Sequence, residues 1–237
     1  FVALVVILDK ADLLKKVAKT TGQDEIILVT ARGQSIHFKE KDVRPMGRGA
    51  AGVRGIMLKK GDELVSVDRA LMSLATAIEA KDPHTEAHVA RVVNYAVLLG
   101  KHCSLSSQEL KWLQRAAMLH DVGKLGIPES ILLKPGPLDA TEWESVKVHP
   151  VLGDRICSNL GLPRFLLEAV RHHHEHYDGH GYPDGLAGEA IPIGARIICA
   201  VDAFDAMTTD RPYRKALTVE FALGELRKKA GIQFDPQ

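Results

Sequence analysis

Ten of the eleven histidines in this 237-residue chain lie between His84 and His180, and five fall between His172 and His180. The densest stretch is Arg171-His-His-His-Glu-His-Tyr-Asp-Gly-His-Gly-Tyr-Pro183. Imidazole is the commonest protein metal ligand and titrates nearest neutral pH, so this clustering implies a metal centre or an acid/base site. Elsewhere His120 stands beside Asp121, as His173 stands beside His174. Neighbouring helical residues point about 100° apart, so such a pair cannot easily chelate one ion in the same way. It can serve two ions lying side by side, and His173 and His174 are read here as one ligand for each ion.

Adding His88, His149 and Asp202 brings the candidates to five imidazoles and two carboxylates. Mixed imidazole and carboxylate ligation without thiolates suits manganese, iron, cobalt or zinc better than an oxygen-seeking ion such as calcium. Two divalent ions outweigh two carboxylates in charge, and the surplus would attract a phosphate. Two-metal phosphoester hydrolysis needs this combination of a metal-activated nucleophile and a clamp on the phosphate oxygens. Lys124 cannot ligate while charged, so its expected role is to hold the substrate phosphate or the developing charge. Taken singly, His88 or Asp202 reads as a hydrogen-bonded structural residue, as do His102, His172, His176 and His180, and His37 reads as a strand surface residue. The seven together would be costly to bury without metal.

The elements that must position these residues are helices. Val67 to Lys81 has apolar spacing of three and four and is closed by Asp82-Pro83; a second helix is expected from His84 to His102. Ser106-Ser-Gln-Glu109 and Asp139-Ala-Thr-Glu142 have capping-box spacing and should open helices carrying Trp112 to His120 and Trp143 to His149. Pro163 suits the first turn of a helix reaching His174, and Ile193 to Thr208 and Val219 to Ala230 complete the set. The loop from Asp178 to Pro192 is rich in glycine and proline, which lets its backbone approach a ligand closely.

Hydrophobic residues at 46% and charged residues at 26% are ordinary for a globular protein. The apolar run Phe1 to Leu8 is too short to cross a bilayer and reads as a buried strand. Cys103, Cys157 and Cys199 are far apart and lack Cys-x-x-Cys spacing, which argues against a disulfide framework and a thiolate zinc site and for the reducing cytoplasm. Residues 1 to 67 hold 12 basic against 8 acidic side chains, and residues 68 to 237 hold 19 against 22. The two parts therefore read as different modules.

Residues 1 to 67 read as strands and turns, with a hairpin of Glu25 to Thr30 and Ser35 to Phe38 around Ala31-Arg-Gly-Gln34. Val6 to Val17 aligns with Ile56 to Val67 at a shift of 50, the period of a propeller-like β array. Val43-Arg-Pro-Met-Gly-Arg48 and Gly52-Val-Arg-Gly-Ile56 resemble the C-terminal pinwheel of the DNA gyrase A subunit. In that family a basic rim bends DNA, which casts Arg44, Arg48 and Arg54 as phosphate contacts. One blade and a fragment leave strand edges open, so DNA wrapping is not expected of this stretch. No methionine opens the chain, and a fragment or a fused or misjoined segment is expected.

From about residue 70 onward the chain resembles the HD-GYP family of the HD phosphohydrolase superfamily. The resemblance is carried by His84-Thr-Glu-Ala-His88 with Arg91-Val92, His120-Asp-Val-Gly-Lys-Leu-Gly-Ile-Pro128, His149-Pro150, His173-His-Glu175, Asp178-Gly-His-Gly-Tyr-Pro183, Ile191 to Ile197, Asp202 to Thr208 and Arg211-Pro-Tyr-Arg214. It implies an all-helical HD domain, an iron or manganese centre, and hydrolysis of cyclic di-GMP to linear pGpG and, in some members, GMP. The metal ligands would be His88, His120, Asp121, His149, His173, His174 and Asp202. Asp121 and Lys124 would be catalytic. Lys124, Arg211 and Arg214 would contact phosphate, and Gly181, Tyr182 and Pro183 would contact substrate from a shaped lip over the metals. Some members add a glutamate four residues before the first histidine to help hold a third metal; His84 stands there, which favours two ions and leaves a third open. Relatives continue beyond the position of Gln237 into a final helix, so exposed core is expected near the end of this sequence.

The expected architecture is thus mainly α, an HD-GYP helical domain over 68 to 237 preceded by an incomplete β blade over 1 to 67. Three other functions stay open: hydrolysis of a different phosphoester, binding of the dinucleotide or a protein partner without turnover, and DNA binding by the gyrase-like segment.

Overall fold

The computed structural model describes residues 2–5, 17–20, 25–30, 35–39, 64–65, 75, 88–160, 162–210 and 215–237. The chain divides into two compact units, Phe1–Ala70 and Leu71–Gln237.

In the first unit, β1 (Val2–Val5) pairs antiparallel with β2 (Val17–Thr20), matching Val2 with Thr20 and Val5 with Val17. β3 (Glu25–Thr30) is the middle strand of a second sheet, between β4 (Ser35–Lys39) and β5 (Leu64–Val65), and pairs antiparallel with both. The hairpin expected around residues 31–34 is therefore present. Arg44, Arg48, Arg54, most of the 50-residue repeat and the Val67 to Lys81 helix, except Ala75, lie outside the described residues.

The second unit is helical. α1 (His88–His102) buries His88, Val89, Val92, Ala96 and Gly100, a stripe at spacings of three and four. α2 (Ser107–Leu119) opens on the expected capping box, with the Ser106 hydroxyl accepting from the Glu109 amide and the Glu109 carboxylate accepting from the Ser106 amide. A Cβ at Gly100 would lie 2.7 Å from Leu113, so glycine there lets the two helices close on each other. A 3₁₀ turn (Val122–Gly126) and α3 (Glu129–Leu132) lead to α4 (Ala140–Lys147), which opens on the second capping box at Asp139.

Several helix boundaries differ from expectation. α4 stops at Lys147, and His149 instead begins α5 (His149–Asn159), with Pro150 in its first turn, where a missing N–H costs no hydrogen bond. α6 (Arg164–His172) has Pro163 as its extended N-cap rather than in its first turn, and it ends before His173 and His174. α7 (Ile193–Thr208) matches its expected span, and α8 (Val219–Lys228) ends two residues early.

Leu113, Leu119, Val122, Leu166, Val170, Ile191 and Ile198 are fully buried, and each large aliphatic side chain removed from water contributes roughly 1.5–3 kcal/mol. Val219, Phe221, Leu223 and Ile232 are exposed. No described helix is long and apolar enough to cross a membrane.

Candidate metal centre

His88 opens α1, His120 and Asp121 follow the last turn of α2, and His149 opens α5. His173 and His174 follow the last turn of α6, and Asp202 lies within α7. Helix ends thus supply all the candidates except Asp202. They meet in two groups that share Asp121: one of Asp121, His149, His173 and His174, the other of His88, His120 and Asp121. In each group the ligand atoms lie within 4.8 Å of one another. Asp202 reaches the second group, with Oδ1 3.4 Å from His88 Nε2. The expectation that His173 and His174 divide between two ions is corrected by this geometry. Both fall in one group, at the turn just past the end of α6, with ring centroids 4.1 Å apart.

The ring orientations follow from the backbone. Nδ1 of His120, His149 and His173 each donates to the carbonyl three residues earlier, Ala117 at 2.8 Å, Val146 at 2.8 Å and Val170 at 2.6 Å. A carbonyl can only accept, so the neutral tautomer carries its proton on Nδ1 and leaves the Nε2 lone pair free. The Nε2 atoms converge: those of His149 and His173 are 3.3 Å apart, and His149 Nε2 is 3.3 Å from Asp121 Oδ1. Asp121 Oδ2 is 3.4 Å from His120 Nε2, so the two oxygens of one carboxylate face opposite groups.

The donor set fits divalent cations. His120 Nε2 is buried with no hydrogen-bond partner, although burial of an unpaired polar atom is unfavourable. Four buried imidazoles, His88, His120, His149 and His173, surround a shared carboxylate, and ions placed among them would satisfy these atoms at once.

Electrostatics separate the histidines. Burial pulls His120 down, but the charges of Asp121 and Asp202 prevail and lift it to about 9. Burial drives His174 down to about 3, helped by His149, and holds His173 well below the usual range. Burial raises Asp121, yet Lys124 and His120 prevail and hold it well below the ordinary carboxylate range.

Lys124, expected to face a phosphate, places Nζ 2.8 Å from Asp121 Oδ2 and is one-fifth exposed. Gly123 ties this segment to α5, since a Cβ there would sit 1.8 Å from the His149 carbonyl oxygen. The Asp178–Pro183 stretch folds back over the histidines. The Tyr182 ring stacks on His174 at 4.9 Å between centroids, and the Tyr182 amide donates to the His174 carbonyl. A Cβ on Gly181 would lie 2.1 Å from the His176 nitrogen, which only glycine permits. Pro183 follows a cis peptide bond. Arg211, Arg214 and His84 lie outside the described residues.

Two buried carboxylates at the site were given no role from sequence. Asp205 bonds His88 and Arg91. Glu175 accepts from the amides of Asp184 at 2.7 Å and Leu186 at 3.1 Å, fixing the loop after Pro183. Spacing holds the signal for Asp205: it lies three residues after Asp202, and Arg91 three after His88, so each pair shares a helix face. Glu175 has only its place inside the histidine run. His172 donates to the Glu168 carbonyl and meets Asp184, the structural role expected of it.

A helical scaffold presenting paired histidine and carboxylate groups around a shared aspartate defines a candidate two-metal centre. The family described as HD domain matches residues 72–237, and the chain belongs to that family. The HD-GYP resemblance of its motifs agrees with this match. A second family, described as DNA gyrase C-terminal domain, beta-propeller, matches residues 24–70. The chain is 44% identical over 186 residues to the cyclic di-GMP phosphodiesterase response regulator RpfG of Xanthomonas campestris, covering 76% of this chain and 49% of that protein. It is 39% identical over 160 residues to 3'3'-cGAMP-specific phosphodiesterase 3 of Vibrio cholerae, covering 68% and 35%. Among solved structures, that of V-cGAP3, a cyclic GMP-AMP phosphodiesterase of V. cholerae, aligns with TM-score 0.56 at 21% identity, covering 72% of this chain and 46% of that one. Bd1817 of Bdellovibrio bacteriovorus aligns with TM-score 0.52 at 18% identity, covering 63% and 48%. These two likenesses show the fold. The chain spans about half or less of the length of the relatives it matches.

Proposed function

We propose that residues 68–237 form a metal-dependent phosphodiesterase that hydrolyses cyclic di-GMP to linear pGpG, with GMP as a further product. The carrying observation is the Asp121 carboxylate, whose two oxygens face two different groups of convergent imidazoles. His88, His120, Asp121 and Asp202 would hold one divalent ion, and Asp121, His149, His173 and His174 the other, with iron or manganese suited to this donor set. Such ions supply Lewis acidity and a water of lowered pKa. The chain's own residues orient the rest: the carbonyls of Ala117, Val146 and Val170 aim three imidazoles, and Lys124, held against Asp121, offers a cation to a substrate phosphate. Gly181, Tyr182 and Pro183 line the substrate side, with Arg211 and Arg214 as further phosphate contacts. The reducing cytoplasm suits three unpaired cysteines, of which Cys157 and Cys199 are buried. No DNA-wrapping role is assigned to residues 1–67.

Assay with Mn(II), or with Fe(II) without oxygen, should release pGpG or GMP, and Asp121→Ala should abolish release. Bound metal without product, in a protein that Asp121→Ala leaves unchanged, would sink the catalytic reading. Relatives named for 3'3'-cGAMP favour a second substrate of the same class. Parallel rates on the two cyclic dinucleotides decide between them.

A further inference from the structure

Among the ligand candidates, His120, His149 and His173 orient their rings by donating to a backbone carbonyl. His88 differs. Its Nδ1 lies 2.7 Å from Asp205 Oδ2, in a buried pair. Asp205 is 1% exposed, so bulk solvent screens its carboxylate little. Arg91 grips it from the other side, with Nε 2.5 Å from Oδ1 and Nη2 3.0 Å from Oδ2. The guanidinium offsets part of the charge and fixes the carboxylate in place.

A carboxylate is a stronger acceptor than a carbonyl, so it fixes the tautomer of its imidazole and makes the opposite nitrogen a better donor to a metal. The effect falls on one half of the centre. The His88, His120 and Asp121 group has Asp202 3.4 Å from His88 and Asp205 behind the same ring. The other group has three imidazoles and only the shared Asp121. Arg91 on Asp205 and Lys124 on Asp121 Oδ2 balance the added charge of Asp202 and Asp205, so what sets the His88 side apart is a more basic imidazole and a second carboxylate, Asp202, within reach.

We propose that Asp205, clamped by Arg91, is a positioning residue for His88 that makes the His88, His120 and Asp121 group the first of the two to fill with a divalent cation and the last to release it. This rests on reading the seven residues as a two-metal centre. The structure thereby assigns unequal affinities to two groups that share a ligand.

The test is Mn(II) titration of chelator-stripped protein, followed by calorimetry and electron paramagnetic resonance. The unaltered protein should show two binding events, and at one equivalent a single mononuclear spectrum. Asp205→Asn keeps the shape and removes the charge. It should weaken the tighter event by roughly 10–100-fold, leave the weaker within about twofold, and give a mixed spectrum at one equivalent. Equal weakening of both events, or no change in either, overturns the proposal. Should Asp205→Asn fail to fold, Asp205→Glu, which keeps the charge but displaces the carboxylate from His88 Nδ1, is expected to weaken the same event by a smaller factor, and no selective change there also overturns it. If the unaltered protein binds no Mn(II), the metal reading itself falls and takes this inference with it, an outcome visible before any variant is made.

Discussion

Protonation distinguishes residues that share one chemical type. His120 is lifted to about 9 by Asp121 and Asp202 against the pull of burial, whereas His174 falls to about 3. The signs give opposite pH windows. In metal-free protein the raised His120 contributes stability that is complete below its unfolded value of 6.5 and is lost as pH rises through about 9. The depressed His174 makes the folded state less stable as pH falls from 6.5 toward about 3, because the unfolded chain then binds the extra proton. Histidine NMR in chelator should show one imidazole titrating near 9 and at least two below 6. A set titrating together near 6.5 would refute the assignment. Ligation requires the neutral ring, so loading metal at neutral pH should expel the His120 proton, read from calorimetry in buffers of different ionisation enthalpy.

At the scale of elements, the capping boxes at Ser106 and Asp139 and the span of α7 were legible because their signals are local: side-chain spacing and a long apolar pattern. The seven candidate positions were named from residue type and from the motifs around them; six of them meet in the two groups, and Asp202 lies beside His88. Their grouping was not. That His173 and His174 leave α6 depends on where the chain turns after His172, with the Glu175 amide donating to the His172 carbonyl, and no periodicity records such a turn. Glu175 illustrates the same limit: it binds the amides of Asp184 and Leu186, a tertiary role invisible in residue spacing. Glu175→Gln replaces one acceptor oxygen with an NH₂ group, so one of those amides loses its partner. Hydrogen exchange at Asp184 or Leu186 should accelerate at least tenfold, a loss of about 1.4 kcal/mol of local protection, while α2 exchanges as before. Unchanged exchange at both amides would show that the loop is held by other means.

For the whole helical unit, candidate ligands carried on or just after α1, α2, α5, α6 and α7 would make an ion at the centre bind folded chain and not unfolded chain. At a free concentration a hundred times Kd, one ion adds about 2.7 kcal/mol. For a unit of this size that is a rise in Tm of roughly 5–10 °C. Chelation should reverse the rise, as scanning calorimetry would read, and a Tm indifferent to metal would contradict the site. The segment leading into the Tyr182 turn is also held from far along the chain: the Tyr177 and Asp178 amides donate to the carbonyls of Gln233 and Ile232. Those acceptors lie beyond α8, so the anchor rests on the turn at Ile232 and Gln233 and not on a helix. Loosening of the turn at Ile232 and Gln233 would then be felt at the stacked ring over His174, although both residues are remote from that ring in sequence.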